Sequence, residues 1–320
     1  MPLPTVSDVY QARRRLGTRI PRTPLLPSSW LSSIADGDVF LKIESLNLTH
    51  SFKIRGALNA ALRLSEGIDS PPVIVTASAG NHGRAMALAT EELGISCIVF
   101  TPANAPEAKL NAIRRHGAIL HADSEDYDTA ERRAKEFAEA EGGVYISPYN
   151  HPDVIAGAGT IGLELVESLP EFDVLVVPLG GGGLASGVGL AIKAAAPQVT
   201  IVGVEVEASS PFTLSLEAGR ITEITPRASL ADGLVGNLEP GSITFPLVKQ
   251  VVDYVVTVSE DELTRAMKGL ATEERLIVEG SGAVSVAAIM AGKATAPGQK
   301  SIALVTGSNV DLPKWLFTIS

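Results

Sequence analysis

The sequence predicts an α/β protein built from open parallel sheets flanked by helices. Short apolar, β-rich runs alternate with stretches of helical spacing along most of the 320 residues, and several runs end in glycine-rich turns. Parallel strands need crossover helices between them, so this alternation favours parallel pairing. Single hydrophobic cores usually stop growing at about 250 to 300 residues, and the length therefore favours two lobes.

The predicted strands are runs rich in β-branched residues that end in turn residues. In chain order they cover 39–43, 72–78, 96–100, 118–122, 144–148, 174–179, 200–206, 251–258 and 301–306. Residues 125–143 have helical spacing and end on a glycine pair, as is typical of a helix C-terminus. Ser259 followed by Glu262 predicts a capped helix start.

The composition narrows the classes of partner. A net charge of -10 and a pI of about 5.1 would repel nucleic acid and anionic lipid, so we expect neither as a partner. The chain has no run of about 18 apolar residues, and MPLPTVSDVYQARRR lacks the apolar core of a leader. Cys97 is the only cysteine and cannot form a disulfide within the chain. We therefore expect a cytoplasmic protein that binds a small molecule.

A run of four glycines follows the predicted strand 174–179 and precedes a helical stretch. Successive backbone N–H groups without Cβ atoms can point into one concavity, and a helix N-terminus adds positive potential. The run therefore predicts a phosphate site, although a tight turn alone would need only one or two glycines. No Lys-Ser/Thr pair follows at the Walker spacing, so a nucleoside triphosphatase is not expected. The residues are Gly180, Gly181, Gly182 and Gly183.

Two cofactor hypotheses fit this phosphate site. Gly180, Gly182 and Ala185 match G-x-G-x-x-A, and Glu205 ends the next strand at about the spacing of a ribose-binding acid, as in an NAD-dependent oxidoreductase. Lys53, in THSFKIRGA, favours a phosphorylated aldehyde instead. A helix start and burial both favour the neutral amine that Schiff-base formation needs. A solvated surface position is the simpler explanation for a lone lysine.

Six ordered motifs resemble the pyridoxal-phosphate-dependent serine/threonine dehydratase and serine racemase family. They are THSFKIRGA, TASAGNHGRAMA, SPYNHPDVIAGAGTIGLE, VPLGGGGLASG, VEGSGA and TGSNVD, and the resemblance spans Arg22 to Asp311. It implies a two-lobed, tryptophan-synthase-beta-like fold (fold type II), pyridoxal 5'-phosphate as cofactor and a homodimer. It also implies a large cofactor-binding domain from residues 1–70 and 151–320, and a small substrate-loop domain from residues 71–150.

The resemblance implies a role for each matching site residue. Lys53 would form the Schiff base and Phe52 would lie against the cofactor ring. Asn81 would donate to the phenolic oxygen, and Thr306 would face the pyridine nitrogen in place of the family's usual serine. A local capping role for His82 is an equal alternative to substrate contact. The loop that would bind the substrate carboxylate consists of Ser78, Ala79, Gly80, Asn81 and His82.

The implied reaction is dehydration and deamination of an L-β-hydroxy amino acid, such as threonine or serine, to a 2-oxo acid and ammonia. A hydroxyl at Thr306 does not hold the ring nitrogen protonated, and a moderate electron sink suits elimination. Ala79 stands where racemases have a proton-donating serine, so slow racemisation is expected. The alternatives are a serine racemase, a non-catalytic binding protein, and a dehydratase specialised for 3-hydroxyaspartate, phenylserine or a hydroxyectoine-derived amino acid.

No metal site is expected from the resemblance. Racemase-like members bind a divalent cation with a glutamate, a backbone carbonyl and an aspartate. Glu205 and Ser209 match this pattern, but Pro211 occupies the aspartate position. Hard cations need several oxygen ligands, and proline supplies none through its side chain.

Overall fold

The computed structural model describes residues 2–320. Its strands are β1 (Leu25–Pro27), β2 (Val39–Ile43), β3 (Ile74–Ala77), β4 (Cys97–Pro102), β5 (Ile119–Ser124), β6 (Val144–Tyr145), β7 (Val174–Pro178), β8 (Thr200–Val206), β9 (Tyr254–Val258) and β10 (Ser301–Val305). Its helices are α1 (Val6–Leu16), α2 (Ser29–Ala35), α3 (Lys53–Ser65), α4 (Asn81–Leu93), α5 (Glu107–Arg114), α6 (Tyr127–Glu141), α7 (Pro152–Ser168), α8 (Gly183–Ala195), α9 (Pro211–Ala218), α10 (Thr244–Val251), α11 (Glu260–Thr272), α12 (Gly280–Met290) and α13 (Leu312–Ile319). Within residues 2–320, no helix is both long and apolar enough to cross a membrane.

The strands form two sheets. The larger has the order β1-β2-β10-β7-β8-β9, and the smaller has the order β5-β4-β3-β6. Every neighbouring pair is parallel except β1 with β2. The predicted parallel α/β class is thus confirmed, and the antiparallel edge strand β1 was missed because three residues are too few to show a pattern.

Several predicted element ends need correction. The predicted strand 251–258 begins only at Tyr254, because Val251 still belongs to α10. The predicted strand 144–148 pairs only over its first two residues, after which the chain leaves the sheet. The helix within 125–143 is confirmed as α6, and the Ser259–Glu262 capping box is present at the start of α11.

Both sheets are buried on both faces, as parallel sheets usually are. Along β10, Ala303 and Val305 belong to a core that includes α12, whereas Ile302 and Leu304 belong to a core that includes α8. The alternation follows the two-residue period of a strand. In the smaller sheet, α3 and α4 cover one face and α6 covers the other. The long apolar runs in the sequence therefore correspond to strands enclosed between helices.

A buried network of charges fixes the start of α3. The Arg55 guanidinium donates to both oxygens of Glu44, at 2.8 and 2.9 Å, and to Glu164 at 2.6 Å. Lys42 also donates to Glu164, at 2.5 Å. Removing one partner from such a buried network costs roughly 3–5 kcal/mol, because the other charge stays buried and unpaired. Arg55 and Lys53 lie in the same first turn of α3, so the network also sets the position of Lys53.

Candidate active site

Lys53 begins α3 at the carboxyl end of the larger sheet. The Phe52 N–H donates to the Thr306 carbonyl at 3.1 Å, which places the helix start directly beside the end of β10. Lys53 Nζ donates to the Pro148 carbonyl at 2.9 Å. Burial lowers the pKa of Lys53 to about 8, although the Glu279 carboxylate opposes this shift. A larger fraction of neutral amine is thus available near neutral pH than for an ordinary lysine.

The predicted partners of the cofactor ring adjoin Lys53. The ring of Phe52 lies 5.1 Å from Lys53 Nζ, measured to the ring centroid. Thr306 is buried, and its hydroxyl donates a long hydrogen bond of 3.4 Å to the Ser281 carbonyl in the first turn of α12. The structure therefore brings Phe52, Lys53 and Thr306 together at one sheet edge.

The glycine loop, residues 180–183, joins β7 to α8 and is tightly enclosed. A Cβ on Gly181 would lie 2.3 Å from the Tyr149 ring, and a Cβ on Gly182 would lie 2.6 Å from the Phe212 ring. Gly182 also has a φ of 83°, which disfavours a side chain. Packing against aromatic rings is therefore a second reason for the glycines, beside the phosphate argument.

The backbone of the glycine loop offers unpaired donors. Among residues 2–320, no acceptor takes a hydrogen bond from the backbone N–H groups of Gly180, Gly181 and Gly182. The loop also leads into the N-terminus of α8, where the helix dipole favours an anion. Tyr149 links the loop to Lys53, because it directly follows Pro148, the acceptor of the lysine ammonium. A phosphate fits this donor set.

The substrate loop, residues 78–82, joins β3 to α4 on the smaller sheet. Ser78, Ala79 and Gly80 form the turn, and the Gly80 N–H donates to the Ser78 hydroxyl at 3.2 Å. A Cβ on Gly80 would meet no atom within 4 Å, so the turn borders open space. The first N–H groups of α4 have no intrahelical partner and suit a carboxylate.

His82 is buried within this loop and is uncharged at neutral pH. It is 2% exposed, and neither ring nitrogen has a hydrogen-bond partner among the described residues. The Ile146 backbone is nearby but does not form a hydrogen bond with the ring. Burial, and then the charge of Lys53, lower its pKa to about 3. The structure shows no capping bond from the His82 side chain. Two unpaired buried nitrogens are costly, which is consistent with a polar ligand nearby.

Asn81 connects the substrate loop to the start of α12 and to the segment after β10, through residues that sequence analysis missed. Its Nδ2 donates to Glu279 Oε1 at 2.6 Å, and its Oδ1 accepts from Asn309 Nδ2 at 2.6 Å. The Asn309 N–H donates to Glu279 Oε2 at 3.1 Å. Burial, and then the charge of Asp232, raise the pKa of Glu279 to about 7. The sequence signal that could have indicated Glu279 as a site residue is its position directly before Gly280, the first residue of α12.

Glu205 does not have the role that the dinucleotide hypothesis assigned to it. One of its oxygens accepts from the Phe212 N–H at 2.8 Å, and the other accepts from the Thr213 N–H at 2.8 Å. The carboxylate thus caps α9. Among residues 2–320, no group of three or more His, Cys, Asp or Glu side chains is arranged to hold a metal ion.

Comparison with known proteins establishes the class to which this fold and candidate site belong. The model of the family described as "Pyridoxal-phosphate dependent enzyme" matches residues 17–307. The chain belongs to this family, and pyridoxal phosphate is its cofactor. Family membership decides between the two cofactor hypotheses and excludes the NAD-dependent one.

Relatives and solved structures narrow the class further. The chain is 41% identical to the L-threonine ammonia-lyase of Thermotoga maritima, over 96% of this chain and 76% of the relative. It resembles the structure of maize serine racemase (TM-score 0.92, 33% identity, 99% and 97% of the two chains). It also resembles the T.th. threonine deaminase (TM-score 0.87, 37% identity, 96% and 99%). These are fold type II enzymes, as the resemblance in the sequence implied, and the protein is an enzyme of the ammonia-lyase type.

Proposed function

We propose that this protein dehydrates an L-β-hydroxy amino acid, threonine or serine, to an enamine that is then hydrolysed to a 2-oxo acid and ammonia. The observation that carries the proposal is the partly buried Lys53 amine, whose pKa is lowered to about 8 and which is linked through Pro148 and Tyr149 to a glycine loop with unpaired N–H groups. The name of the relative from Thermotoga maritima, L-threonine ammonia-lyase, supports the choice of substrate.

The residues of the cleft fit pyridoxal phosphate. Lys53 would hold its aldehyde carbon, the glycine loop its phosphate and Phe52 the face of its ring. Asn81 would donate to its phenolic oxygen, and the Thr306 hydroxyl would meet its pyridine nitrogen. When bound, the cofactor withdraws electrons from the substrate Cα and so acidifies the Cα–H bond.

The side chains and backbone of this chain would supply the remaining steps. The N-terminus of α4 and the substrate loop bind the carboxylate and fix the orientation of the Cα–H bond. The Lys53 amine takes the Cα proton, which is favoured because burial lowers its pKa toward neutrality. The Cα–H bond and the Cβ–O bond break, the β-hydroxyl takes up one proton, equal in number to the one that Lys53 removed, and leaves as water, and the released enamine takes up water again to give 2-oxo acid and ammonia.

Racemisation is the second candidate function, because a serine racemase has a closely similar structure. Inversion at Cα needs a proton donor on the face opposite Lys53. Ala79 occupies the position from which a serine would donate, and a methyl group has no proton to give. The lyase reaction needs no such donor, so we favour elimination.

The chain organisation belongs to the same proposal. We place the cofactor-binding domain at residues 1–70 and 151–320 and the substrate-loop domain at residues 71–150; each of the two sheets draws its strands from only one of these sets.

A homodimer is supported by exposed apolar side chains on α13, where Phe317 is 85% exposed. A cytoplasmic location is supported by the single, buried cysteine.

A substrate panel tests the proposal. The purified protein with pyridoxal phosphate is incubated separately with L-threonine, L-serine, 3-hydroxyaspartate and phenylserine, and 2-oxo acid and ammonia are measured. We expect equal amounts of both products from L-threonine or L-serine, and none from either with Lys53→Ala. Turnover confined to 3-hydroxyaspartate or phenylserine would support the specialised dehydratase instead.

A further inference from the structure

A chain of side-chain hydrogen bonds leads from Arg84 to the predicted cofactor cleft. Arg84, in the first turn of α4, donates from one guanidinium nitrogen to Asn309 Oδ1 at 2.5 Å. Asn309 Nδ2 donates to the Thr49 carbonyl at 2.9 Å and to Asn81 Oδ1 at 2.6 Å. Asn81 Nδ2 then donates to Glu279 Oε1. Each bond of this chain has an assigned donor and acceptor.

The two ends of the chain fix the orientation of Asn309. The oxygen and nitrogen of a side-chain amide are nearly the same size, so packing alone does not distinguish the two flipped forms. A guanidinium can only donate and a backbone carbonyl can only accept. With Arg84 on one side and the Thr49 carbonyl on the other, Asn309 must direct its oxygen to Arg84 and its nitrogen to Thr49. The Asn81 oxygen then has to accept from Asn309.

Glu279 alone would not define the orientation of Asn81. Its carboxyl has a pKa raised to about 7, and a protonated carboxyl can donate as well as accept. Besides Asn81 and Asn309, it is faced by the charges of Asp232, Lys109 and Lys53. Near neutral pH, this end of the chain is compatible with either amide orientation. The fixed polarity has to come from the Arg84 end.

Arg84 has no competing ionic role. No carboxylate among the described residues pairs with it, and its Nε is buried without a hydrogen-bond partner. Burial, and then the charge of another cation, Arg115, lower the pKa of Arg84. Holding a partly buried cation without a counter-ion is unfavourable. The hydrogen bond that the guanidinium donates to the Asn309 side chain offsets part of this cost.

We propose that Arg84 is a positioning residue that acts through Asn309 to fix the Asn81 amide, so that Asn81 presents N–H and not C=O to the cofactor. The inference rests on the proposed function, in which the second N–H of Asn81 Nδ2 meets the phenolic oxygen of pyridoxal phosphate. An N–H donor stabilises the ionised phenolic oxygen, whereas a carbonyl facing it would favour the protonated form. The ionised and protonated forms absorb at different wavelengths.

The visible and near-ultraviolet absorption of the holoenzyme tests this inference in Arg84→Met and Arg84→Lys. Met keeps the apolar stem without a donor, whereas Lys keeps a donor-only cation. We expect Arg84→Met to reduce the ratio of the long- to the short-wavelength band by about threefold to tenfold, as expected for loss of one hydrogen bond. The ratio in Arg84→Met should also change with pH around 7, as Glu279 titrates. The wild type and Arg84→Lys should show neither effect.

Asn309→Asp provides a second test that does not depend on how Arg84→Met folds. A carboxylate at this position directs only acceptors toward Asn81, so Asn81 should turn its nitrogen to Asp and its oxygen toward the cleft. We expect the short-wavelength band to predominate, with unchanged cofactor content after borohydride reduction at Lys53. If both Arg84→Met and Asn309→Asp gave wild-type spectra, the role inferred for Arg84 would be wrong, whereas the proposed function would stand. A wild-type protein without either cofactor band would overturn the proposed function as well.

Discussion

The glycine loop and the substrate loop are both strand-to-helix turns, but different forces hold them in place. In the glycine loop, aromatic rings enclose the backbone so closely that a methyl group at Gly181 would overlap Tyr149. In the substrate loop, Gly80 borders open space, and Asn81 ties the loop to the residues around α12 and β10 by donating to Glu279 and accepting from Asn309. Steric enclosure predicts a rigid phosphate site, whereas exchangeable hydrogen bonds predict a substrate site that adjusts.

Removal of the Lys53 amine should have the largest effect, because the proposed function requires it both to hold the cofactor and to take the substrate proton. Lys53→Ala should abolish the Schiff base and reduce turnover by at least about 10²-fold to 10⁴-fold, the usual contribution of a general base. Absorption spectra and product assays measure the two effects. Lys249→Ala, at an exposed position on α10, is the matched control and should behave as wild type. Normal turnover by Lys53→Ala would refute the role of Lys53 in both sites.

A methyl group added to the enclosed glycine loop should weaken cofactor binding, whereas the same methyl group added to the open substrate loop should not. Gly181→Ala should weaken pyridoxal phosphate binding by roughly tenfold or more, because overpacking costs about 1–3 kcal/mol. Gly80→Ala adds the same methyl group next to empty space and should leave cofactor affinity unchanged. Titration of cofactor-stripped protein with pyridoxal phosphate gives both dissociation constants. Equal affinities would show that the glycine loop is not enclosed as described.

The pH dependence of cofactor recombination should report the Lys53 amine. The pKa of Lys53 is lowered to about 8 and only the neutral amine attacks an aldehyde, so the rate should rise with pH and level off above about 8. The ionised Glu279 carboxylate favours the lysine ammonium, so Glu279→Gln should shift the midpoint to lower pH. Stopped-flow absorbance measures the profile. A shift to higher pH, or a flat profile, would contradict this electrostatic coupling.

The sequence predicts the parts of this molecule that depend on local pattern. The parallel strands, the capping box at Ser259 and the glycine run after β7 each have a signal within a few consecutive residues. The links Asn81–Glu279 and Arg84–Asn309 join residues about 200 positions apart, and no local pattern encodes them. The run of four glycines likewise predicted free N–H groups in the glycine loop. It did not predict that the Tyr149 ring packs against Gly181.

The smallest expected effect is a gain of racemisation when a residue of the substrate loop is changed. Ala79→Ser places a hydroxyl where a racemase would have its second proton donor, so a small but measurable racemisation of L-serine should appear. Chiral chromatography of the remaining substrate detects it, and Ala79→Val, which adds bulk without a proton donor, is the control and should give no D-isomer. If Ala79 is merely small to clear the cofactor, Ala79→Ser will gain no D-isomer.

The most direct test of the central claim is one reaction of the wild-type holoenzyme with L-threonine and one with L-serine, in which 2-oxo acid, ammonia and both substrate enantiomers are measured together. Elimination predicts that 2-oxo acid and ammonia appear in equal amounts while the remaining substrate stays in the L-form. Accumulation of the D-isomer without ammonia would contradict the account and identify the protein as a racemase.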